Sequence, residues 1–310
     1  PNKEEYLKSI EIYKGELEKI NKNDKELCGY MQNTIGYTYK LLCEENTQQK
    51  EIDIQKANKW YHKLWKNIVR YCIKGEGTTT TKDTENSIED WKRQAETYLK
   101  KSVENNPKGR YHQNLGAYYA AIRDYDKALE QYKLAFNAEK RDDKIYNLIG
   151  SVLLYRAEMK LGISERFQKG IVLSEITLDK IDEEERLNIQ NDIKQAYEWL
   201  NLAIKQVNPI INAYYNYSKA CIYDSLFLGG GSQKMSEADK YLNMVEIIWN
   251  MNDSQKPKGY LYTRRNYWEA NKEYDKALEI NQVIMKVDNS GDAKTAERVY
   301  DSKKRNKNNG

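Results

Sequence analysis

The chain has 310 residues, of which 39% are hydrophobic and 32% are charged. This composition is too polar for a membrane protein and too apolar for a disordered chain. The net charge is +4, but Lys303, Lys304, Arg305 and Lys307 stand in the last eight positions with no acidic residue among them. Without these four, 47 basic residues balance 47 acidic ones, so we expect a neutral body followed by a solvated basic tail. Nucleic-acid binders concentrate positive charge on a folded surface, so this distribution argues against RNA or DNA as the partner.

The spacing of apolar residues predicts a helix almost everywhere along the chain. Only four prolines occur in the sequence, and proline is the residue that breaks helix interiors. The first helix shows the pattern well, because Tyr6, Ile10, Tyr13, Leu17 and Ile20 form a stripe at helical spacing. In chain order, the predicted helices span residues 3–21, 27–43, 54–73, 88–105, 109–122, 125–139, 143–161, 165–178, 184–207, 211–227, 234–249, 258–270, 273–287 and 291–306. The chain is therefore predicted to be all-α, with about fourteen helices.

Neither the cysteines nor the histidines have the spacing of a metal site. The four cysteines, Cys28, Cys43, Cys72 and Cys221, include no CxxC pair, and the histidines are His62 and His112. We expect buried thiols in a reducing compartment, which favours a cytoplasmic protein. No apolar run approaches 18 residues, and no apolar leader opens the chain, so we expect no membrane segment.

No motif of the sequence predicts catalysis or a cofactor. No G-x-S-x-G elbow surrounds a serine. The glycines at 229–231 lack the GxxxxGK[ST] spacing of a phosphate loop, and no strand precedes them. Asp182 and the three glutamates that follow it suit the start of a helix better than a cation site, because acidic residues complement the helix dipole there. We therefore expect no enzyme, no metal and no cofactor.

A repeated pattern of large and small residues is the most informative feature of the sequence. Residues 110–140 contain Leu115-Gly116 on one predicted helix and the small Ala128 between aromatic residues on the next. Small residues at these places allow two helices to approach closely where they cross. Counting 34 residues on from Gly116 arrives at Gly150, again preceded by an aliphatic residue. Upstream, Ile35-Gly36 repeats the first-helix pattern, and further second-helix patterns centre on Ala57, Ala95, Gly170, Ala196, Ala238 and Ala277.

This pattern resembles the tetratricopeptide repeat family, and the resemblance covers roughly residues 24–290. It implies a right-handed α-solenoid of antiparallel helix pairs. The predicted organisation is an N-terminal helix at 1–23, the repeat array at 24–290, and a C-terminal capping helix with its basic tail at 291–310. Loops are predicted at 75–87 and 229–233.

The repeat is irregular in two ways. Second-type helices follow one another at 54–73 and 88–105, and again at 165–178 and 184–207, so the pairing must slip there. The first-helix pattern fails at Arg264-Arg265, where the family would place Leu-Gly.

In this family the first helices line a concave surface, and their outward residues contact a partner segment. The positions that the resemblance carries over to this chain are Asn33, Tyr37, Gln113, Asn114, Asn147, Ser151, Tyr155, Tyr215, Asn216 and Lys219. Asparagine recurs among them, and its side chain can both donate and accept hydrogen bonds along a peptide backbone. Exposed asparagines could equally well do no more than solvate a helix, and the sequence does not separate these two roles.

The resemblance implies an adaptor or scaffold that binds a protein or peptide on this surface. A regulatory or sensor module of a larger signalling or defence assembly is the alternative, because irregular curvature suits one folded partner. A helical-repeat RNA binder is less favoured, since the body of the chain is neutral. The paired lysine and arginine with which chaperone-tail binders hold a terminal carboxylate are missing around Asn114 and Asn147, so that function is not carried over.

Overall fold

The computed structural model describes residues 3–20, 22, 24–46, 88–139, 143–249, 256–287 and 291–308. Within these ranges the fold is all-α, as predicted, and contains twelve α-helices and no strand. They are α1 (Lys3–Lys19), α2 (Lys25–Asn46), α3 (Ile88–Asn105), α4 (Gly109–Ala121), α5 (Tyr125–Ala138), α6 (Asp143–Lys160), α7 (Glu183–Ile204), α8 (Ile211–Phe227), α9 (Gly231–Trp249), α10 (Lys258–Ala270), α11 (Tyr274–Val287) and α12 (Gly291–Asn308). The predicted helix at 54–73 and the predicted loop at 75–87 lie outside the described residues.

The chain forms two compact units, Pro1–Asp124 and Tyr125–Gly310. Unit 1 contains α1–α4 and unit 2 contains α5–α12. Inside each unit a helix packs on the next helix in the chain, and alternate helices also lie side by side, as α2 does with α4, α6 with α8, and α8 with α10. Contacts limited to near neighbours are the arrangement of an α-solenoid.

Two glycines mark the closest helix crossings. A Cβ atom on Gly36 of α2 would lie 2.8 Å from the backbone nitrogen of Leu99 and 3.1 Å from the carbonyl oxygen of Ala95, both on α3. A Cβ atom on Gly150 of α6 would lie 2.5 Å from the side chain of Leu200 on α7. These separations are below van der Waals contact, so only glycine fits at either crossing. At Gly36 and Gly150 the small residues of the repeat pattern therefore act as predicted, whereas Gly170, predicted as the small residue of a second helix, lies in no helix.

The same crossings resolve the irregular helix pairing. Gly36 of α2 packs against α3. A Cβ atom on Gly150 of α6 would lie 3.2 Å from the carbonyl oxygen of Ala196 on α7. The sequence offers two candidates for the second helix of each pair, namely 54–73 or 88–105 for α2, and 165–178 or 184–207 for α6. In both pairs the later candidate packs against the first helix. Residues 161–182, between α6 and α7, are thus an insertion between the two helices of a pair.

The predicted helix at 165–178 is wrong. Residues 161–182 contain two short 3₁₀ turns, η1 (Ile163–Glu165) and η2 (Leu173–Glu175), and no α-helix. Gly162 and Gly170 have φ angles of 62° and 68°, in the left-handed region that interrupts a helix. The helical spacing of Phe167, Gly170 and Ile171 is misleading, because Phe167 is buried against other helices, together with its neighbours Val172 and Leu173.

Two further boundaries differ from expectation. The loop predicted at 229–233 shrinks to Gly229 and Gly230, because α9 already begins at Gly231. The basic tail is helical, since α12 continues to Asn308, and Lys304 and Arg305 on it are exposed. Lys303 Nζ lies 2.7 Å from Glu175 Oε1, and Lys304 pairs with Asp275. Two of the four tail cations are therefore paired with carboxylates of unit 2.

Candidate functional site

We call α2 and α4 the first-helix face of unit 1, and α6, α8, α10 and α12 the first-helix face of unit 2. Four of these helices, α2, α6, α8 and α10, pack against the helix that follows them in the chain. The other two are α4, which is the last helix of unit 1, and α12, which follows the last helix pair of unit 2. The ten residues predicted to contact a partner all lie on these helices.

Asparagine pairs join neighbouring first helices in both units. Asn114 Nδ2 of α4 donates a hydrogen bond of 2.9 Å to Asn33 Oδ1 of α2. Asn216 Nδ2 of α8 donates an equivalent bond of 2.9 Å to Asn147 Oδ1 of α6. Asn33, Asn147 and Asn216 are buried, with no more than 6% of their surface exposed. The expectation that these three side chains point outward is wrong, because helix-to-helix pairing already uses their polar atoms.

The other predicted residues differ widely in exposure. Ser151 is buried and donates to the carbonyl oxygen of Leu148, and Tyr215 is buried beside Gly259. Lys219 pairs with Glu158 at 3.0 Å, and its Nζ lies 5.2 Å from the centre of the Tyr155 ring. Tyr37, Gln113 and Asn114 are half-buried. Tyr155 is 40% exposed, which makes it the one member of the set that clearly faces solvent.

Lys219 shows how strongly the unit 2 face is screened from solvent. Burial lowers its pKa, but the Glu158 carboxylate outweighs burial and leaves the pKa above its ordinary value. Burial likewise raises the pKa of Tyr223, whose hydroxyl donates to Glu158. This lysine is therefore held as a cation inside the face, where it neutralises Glu158.

A cavity of about 520 Å³ opens at the N-terminal ends of α2 and α4 in unit 1. It is lined by Asp24, Glu26, Leu27, Tyr30, Asn33, Lys108, Arg110 and Tyr111. The lining combines aromatic rings, an amide and charges of both signs. Tyr111 is buried, and burial raises the pKa of its hydroxyl. Lys108 and Glu26 form an exposed ion pair.

Of the predicted site residues, Asn33 alone lines this cavity. The rest of the lining lies about two helical turns nearer the N-termini than the repeat's Leu-Gly positions. Tyr30 and Arg110 each stand six residues before the glycine of their helix, Gly36 and Gly116. Looking one or two turns back along the face from each glycine would have found both.

Unit 2 has its first-helix face covered by its own chain. We call residues 163–175 the strap. The strap contacts α6 through η1 and α10 through η2, and Phe167 packs edge-on against Tyr300 of α12 with ring centres 5.6 Å apart. Phe167 and Val172 join a core with Ala277, Ala296, Val299 and Tyr300. The strap therefore covers the part of the first-helix face formed by α10 and α12, and it leaves the predicted contact Tyr155 of α6 exposed.

Arg166 anchors the strap in α10. Its Nη2 lies 3.1 Å from Glu269 Oε2 and 2.9 Å from Asn266 Oδ1, and its Nε lies 3.3 Å from Glu269 Oε1. Its Nη1 donates to the carbonyl oxygen of Ile163 at 2.7 Å. Arg166 is 4% exposed and Glu269 is fully buried. Two charges are thus removed from water together, in the bidentate geometry that favours arginine over lysine.

Two further donors complete the surroundings of the Glu269 carboxylate. The backbone nitrogen of Leu173 donates to Oε1, and the Tyr300 hydroxyl donates to Oε2 at 3.0 Å. Burial lowers the pKa of Arg166, but the adjacent carboxylate outweighs burial and raises the pKa above its ordinary value. The carboxylate is therefore held by hydrogen bonds from the strap and from α12 as well as by the guanidinium.

These observations define an all-helical repeat protein of the α-solenoid class, with helix pairs of the kind that the tetratricopeptide resemblance implies. A scan of known protein families finds no match to the chain, and no curated protein matches it. The crystal structure of yeast Tom70 is similar over 99% of this chain, with 11% sequence identity and a TM-score of 0.37. This chain covers 60% of that one. Similarity at this level carries no argument, so the class rests on the helix geometry alone.

Two further properties of the described residues concern membrane spanning and metal binding. No helix there is long and apolar enough to cross a membrane. No group of three or more histidine, cysteine or acidic side chains in the same ranges could hold a metal ion.

Proposed function

We propose that the protein is a scaffold that binds a segment of a partner protein on the first-helix face of unit 1. The cavity of about 520 Å³ between the ends of α2 and α4 carries this proposal. Its size lies in the range typical of ligand sites, and its lining offers apolar surface together with a few polar groups. No catalytic activity is proposed, because no nucleophile with an adjacent base occurs at this cavity among the described residues.

The chemistry of the lining suits an extended peptide. Tyr30 and Leu27 supply apolar surface for side chains, and Leu27 is 43% exposed. Arg110 and Asp24 lie on the same lining and offer charges of opposite sign. The Asn33–Asn114 pair fixes the spacing of α2 and α4 below the cavity. A surface held rigid in this way loses little entropy when it binds a partner.

The predicted partner contacts in unit 2 have a different part in this proposal. Tyr155 remains a proposed contact, since it is exposed. The buried Asn147, Ser151, Tyr215 and Asn216 hold the helices in register, and Lys219 neutralises Glu158.

We also propose that the protein works in the cytoplasm. Cys28, Cys43 and Cys221 are free thiols and are buried. Burial raises the pKa of Cys221, which keeps this thiol protonated and unreactive. Buried thiols of this kind are typical of proteins in a reducing compartment.

A second candidate is a regulatory or sensor module of a larger assembly. The strap favours it, because a chain that covers part of its own first-helix face restricts what that face can bind. The buried Arg166–Glu269 pair gives this cover a specific attachment. The two candidates share the partner-binding face of unit 1 and differ in whether unit 2 changes state.

A peptide selection tests the scaffold proposal. The whole chain would be used to select binders from a random peptide library, and the dissociation constant of an enriched peptide would be measured by fluorescence anisotropy. We expect the double substitution Leu27→Lys and Arg110→Glu to weaken binding at least tenfold. Leu202→Lys is the matched control, because Leu202 is 45% exposed on the second helix α7.

The outcomes of this selection are distinct. Loss of binding in the Leu27/Arg110 variant, with binding kept in the control and unchanged melting temperatures, would support the cavity as the docking site. Equal binding by all three proteins would place the interface elsewhere and contradict the proposal.

A further inference from the structure

The strap lies on the first-helix face of unit 2, and its contacts show which side chains that face binds. Four hydrogen bonds hold the Arg166 guanidinium, and three of them go to Glu269 and Asn266 of α10. The next residue, Phe167, lies under the guanidinium, with Arg166 Cζ 4.1 Å from the ring centre. The ring also packs edge-on against Tyr300. The face therefore holds an arginine and an adjacent aromatic residue together.

The arginine site is specific as well as buried. Glu269 is fully buried, and it would be left as an uncompensated charge if a neutral side chain replaced Arg166. A planar guanidinium satisfies both carboxylate oxygens and Asn266 at once, which a lysine ammonium cannot do with the same geometry. The charge and the shape of this site thus select arginine.

The strap has the structure of a segment that can leave its site as a unit. It contains two short 3₁₀ turns and no α-helix, and its backbone hydrogen bonds join residues close in sequence, as from Gln168 to Glu165 and from Ile171 to Arg166. Gly162 precedes it and Gly170 lies within it, both with positive φ. The Leu173 amide and the Arg166 side chain supply its hydrogen bonds to α10. Segments with little regular structure exchange through local opening more readily than packed helices.

We propose that the first-helix face of unit 2 is a second docking site, specific for a segment that presents an arginine followed by an aromatic residue, and that the strap is its built-in competitor. This second docking site rests on the proposed function in one respect, because it requires that partners dock on a first-helix face. A partner segment of the same chemistry displaces the strap and takes over Glu269, Asn266 and the contact with Tyr300. The strap is tethered at both ends, so its effective concentration is high and only a partner with added contacts displaces it.

The test supplies the strap in trans. A labelled peptide with the sequence of residues 161–177 would be titrated against the wild-type chain and against the variant Arg166→Ala/Phe167→Ala, in which the built-in occupant lacks both anchors. We expect the peptide to bind the variant at least tenfold more tightly than the wild type. A control peptide with lysine in place of arginine should bind the variant at least tenfold more weakly than the arginine peptide.

A folded variant that does not bind the peptide would overturn the proposal, and so would equal binding of the lysine and arginine peptides. Circular dichroism establishes whether the variant is folded. This assay leaves the cavity of unit 1 unused, so its result stands apart from the peptide selection that tests the scaffold proposal.

Hydrogen exchange of the wild-type chain decides the matter even if the variant does not fold. We expect the amide of Leu173 to exchange through a local opening that is insensitive to low urea concentrations. The amide of Leu153, which is buried in α6, should exchange through a larger opening that depends on urea. If both amides exchange only through the same urea-dependent opening, the strap is a permanent part of the core and the proposal fails.

Discussion

The first-helix faces of the two units are built alike and are used differently. In each unit an asparagine of one first helix donates to an asparagine of the preceding one over 2.9 Å. In unit 1, as far as its residues are described, the face ends in a cavity lined by polar and aromatic side chains. In unit 2 the insertion between α6 and α7 lies on the face and anchors there through Arg166. Helix stacking thus forms the face in both units, and an insertion between paired helices determines whether the face is available to a partner.

Removing the strap's anchor should give the largest difference between the two units. Arg166→Ala leaves Glu269 buried without its partner, so we expect a loss of about 3–5 kcal/mol in the free energy of unfolding of unit 2. The matched change in unit 1 is Lys108→Ala, which removes the exposed pair with Glu26 and should cost about 0–1 kcal/mol. Urea denaturation followed by circular dichroism measures both.

A second variant checks the reason for that loss. Replacing both partners, with Arg166→Met and Glu269→Leu, should recover much of the stability, because no charge is then left buried. If the single and double variants lose the same amount, the cost comes from lost packing and not from the unpaired carboxylate.

The helix crossings should respond alike in both units. Gly36→Ala and Gly150→Ala each introduce a Cβ atom where α3 or α7 leaves no room, and we expect each to cost about 1–3 kcal/mol. Gly36 should be the more sensitive of the two, because its new Cβ meets a backbone nitrogen, whereas that of Gly150 first meets the movable Leu200 side chain.

Gly15→Ala is the control for these crossings. Nothing lies within 4 Å of a Cβ at Gly15 in α1, so alanine should stabilise the helix there by about 0.5–1 kcal/mol. Thermal melts of the three variants should therefore shift in opposite directions. A fall in the melting temperature of Gly15→Ala similar to that of the other two would mean that the crossings are not special.

The two asparagine pairs should differ in strength because they differ in burial. Asn216→Ala leaves the buried Asn147 without its donor, and we expect a cost of about 1–3 kcal/mol. Asn114 is half-buried, so water can replace its amide beside Asn33, and Asn114→Ala should cost only about 0.5–1.5 kcal/mol. Denaturation midpoints of the two variants compare these costs directly, and the reverse order would contradict the assigned burial.

The smallest effect is a pH dependence within unit 2. Burial would raise the pKa of Glu237, but hydrogen bonds from Tyr217, at 2.6 Å, and from Lys234 lower it below its ordinary value. A carboxyl group with a lowered native pKa adds stability above its unfolded pKa of about 4.3, and this stability is lost as the pH falls through the native pKa.

Glu237→Gln should therefore destabilise the fold at pH 7 by less than about 1 kcal/mol, since the carboxylate is partly exposed. At pH 3 the difference from the wild type should shrink towards zero. Glu279→Gln, at an exposed position on α11, is the control and should change little at either pH. A difference that stays constant between pH 7 and pH 3 would contradict the lowered pKa.

Much of the fold follows from the spacing of residues in the sequence. The apolar stripes predict α8 and α10 to the residue, at 211–227 and 258–270. The glycines of the repeat pattern predict the crossings at Gly36 and Gly150. Periodicity fails at 165–178, because Phe167, Gly170 and Ile171 have helical spacing, whereas Phe167 is buried against α11 and α12, which are distant in sequence.

The candidate site is predicted less well, for a physical reason. Whether Asn147 faces solvent or its neighbour depends on how far α6 and α8 are rotated about their axes, and residue spacing within one helix does not determine this rotation. The Arg166–Glu269 pair joins residues 103 positions apart, and no local pattern announces it. One sequence signal lies near this pair, because Arg264-Arg265 stands where the family places Leu-Gly. The structure buries Arg265, which donates a hydrogen bond to Asn281.

The proposed docking site for a partner is the first-helix face of unit 1. Hydrogen–deuterium exchange of the wild-type chain, with and without a peptide enriched in the selection described above, tests this claim most directly. We predict that the peptide slows exchange in residues 24–33 and 108–114, around the cavity, and leaves the second helix α7 unchanged. Slower exchange confined to α7, or to other second helices, would contradict the claim.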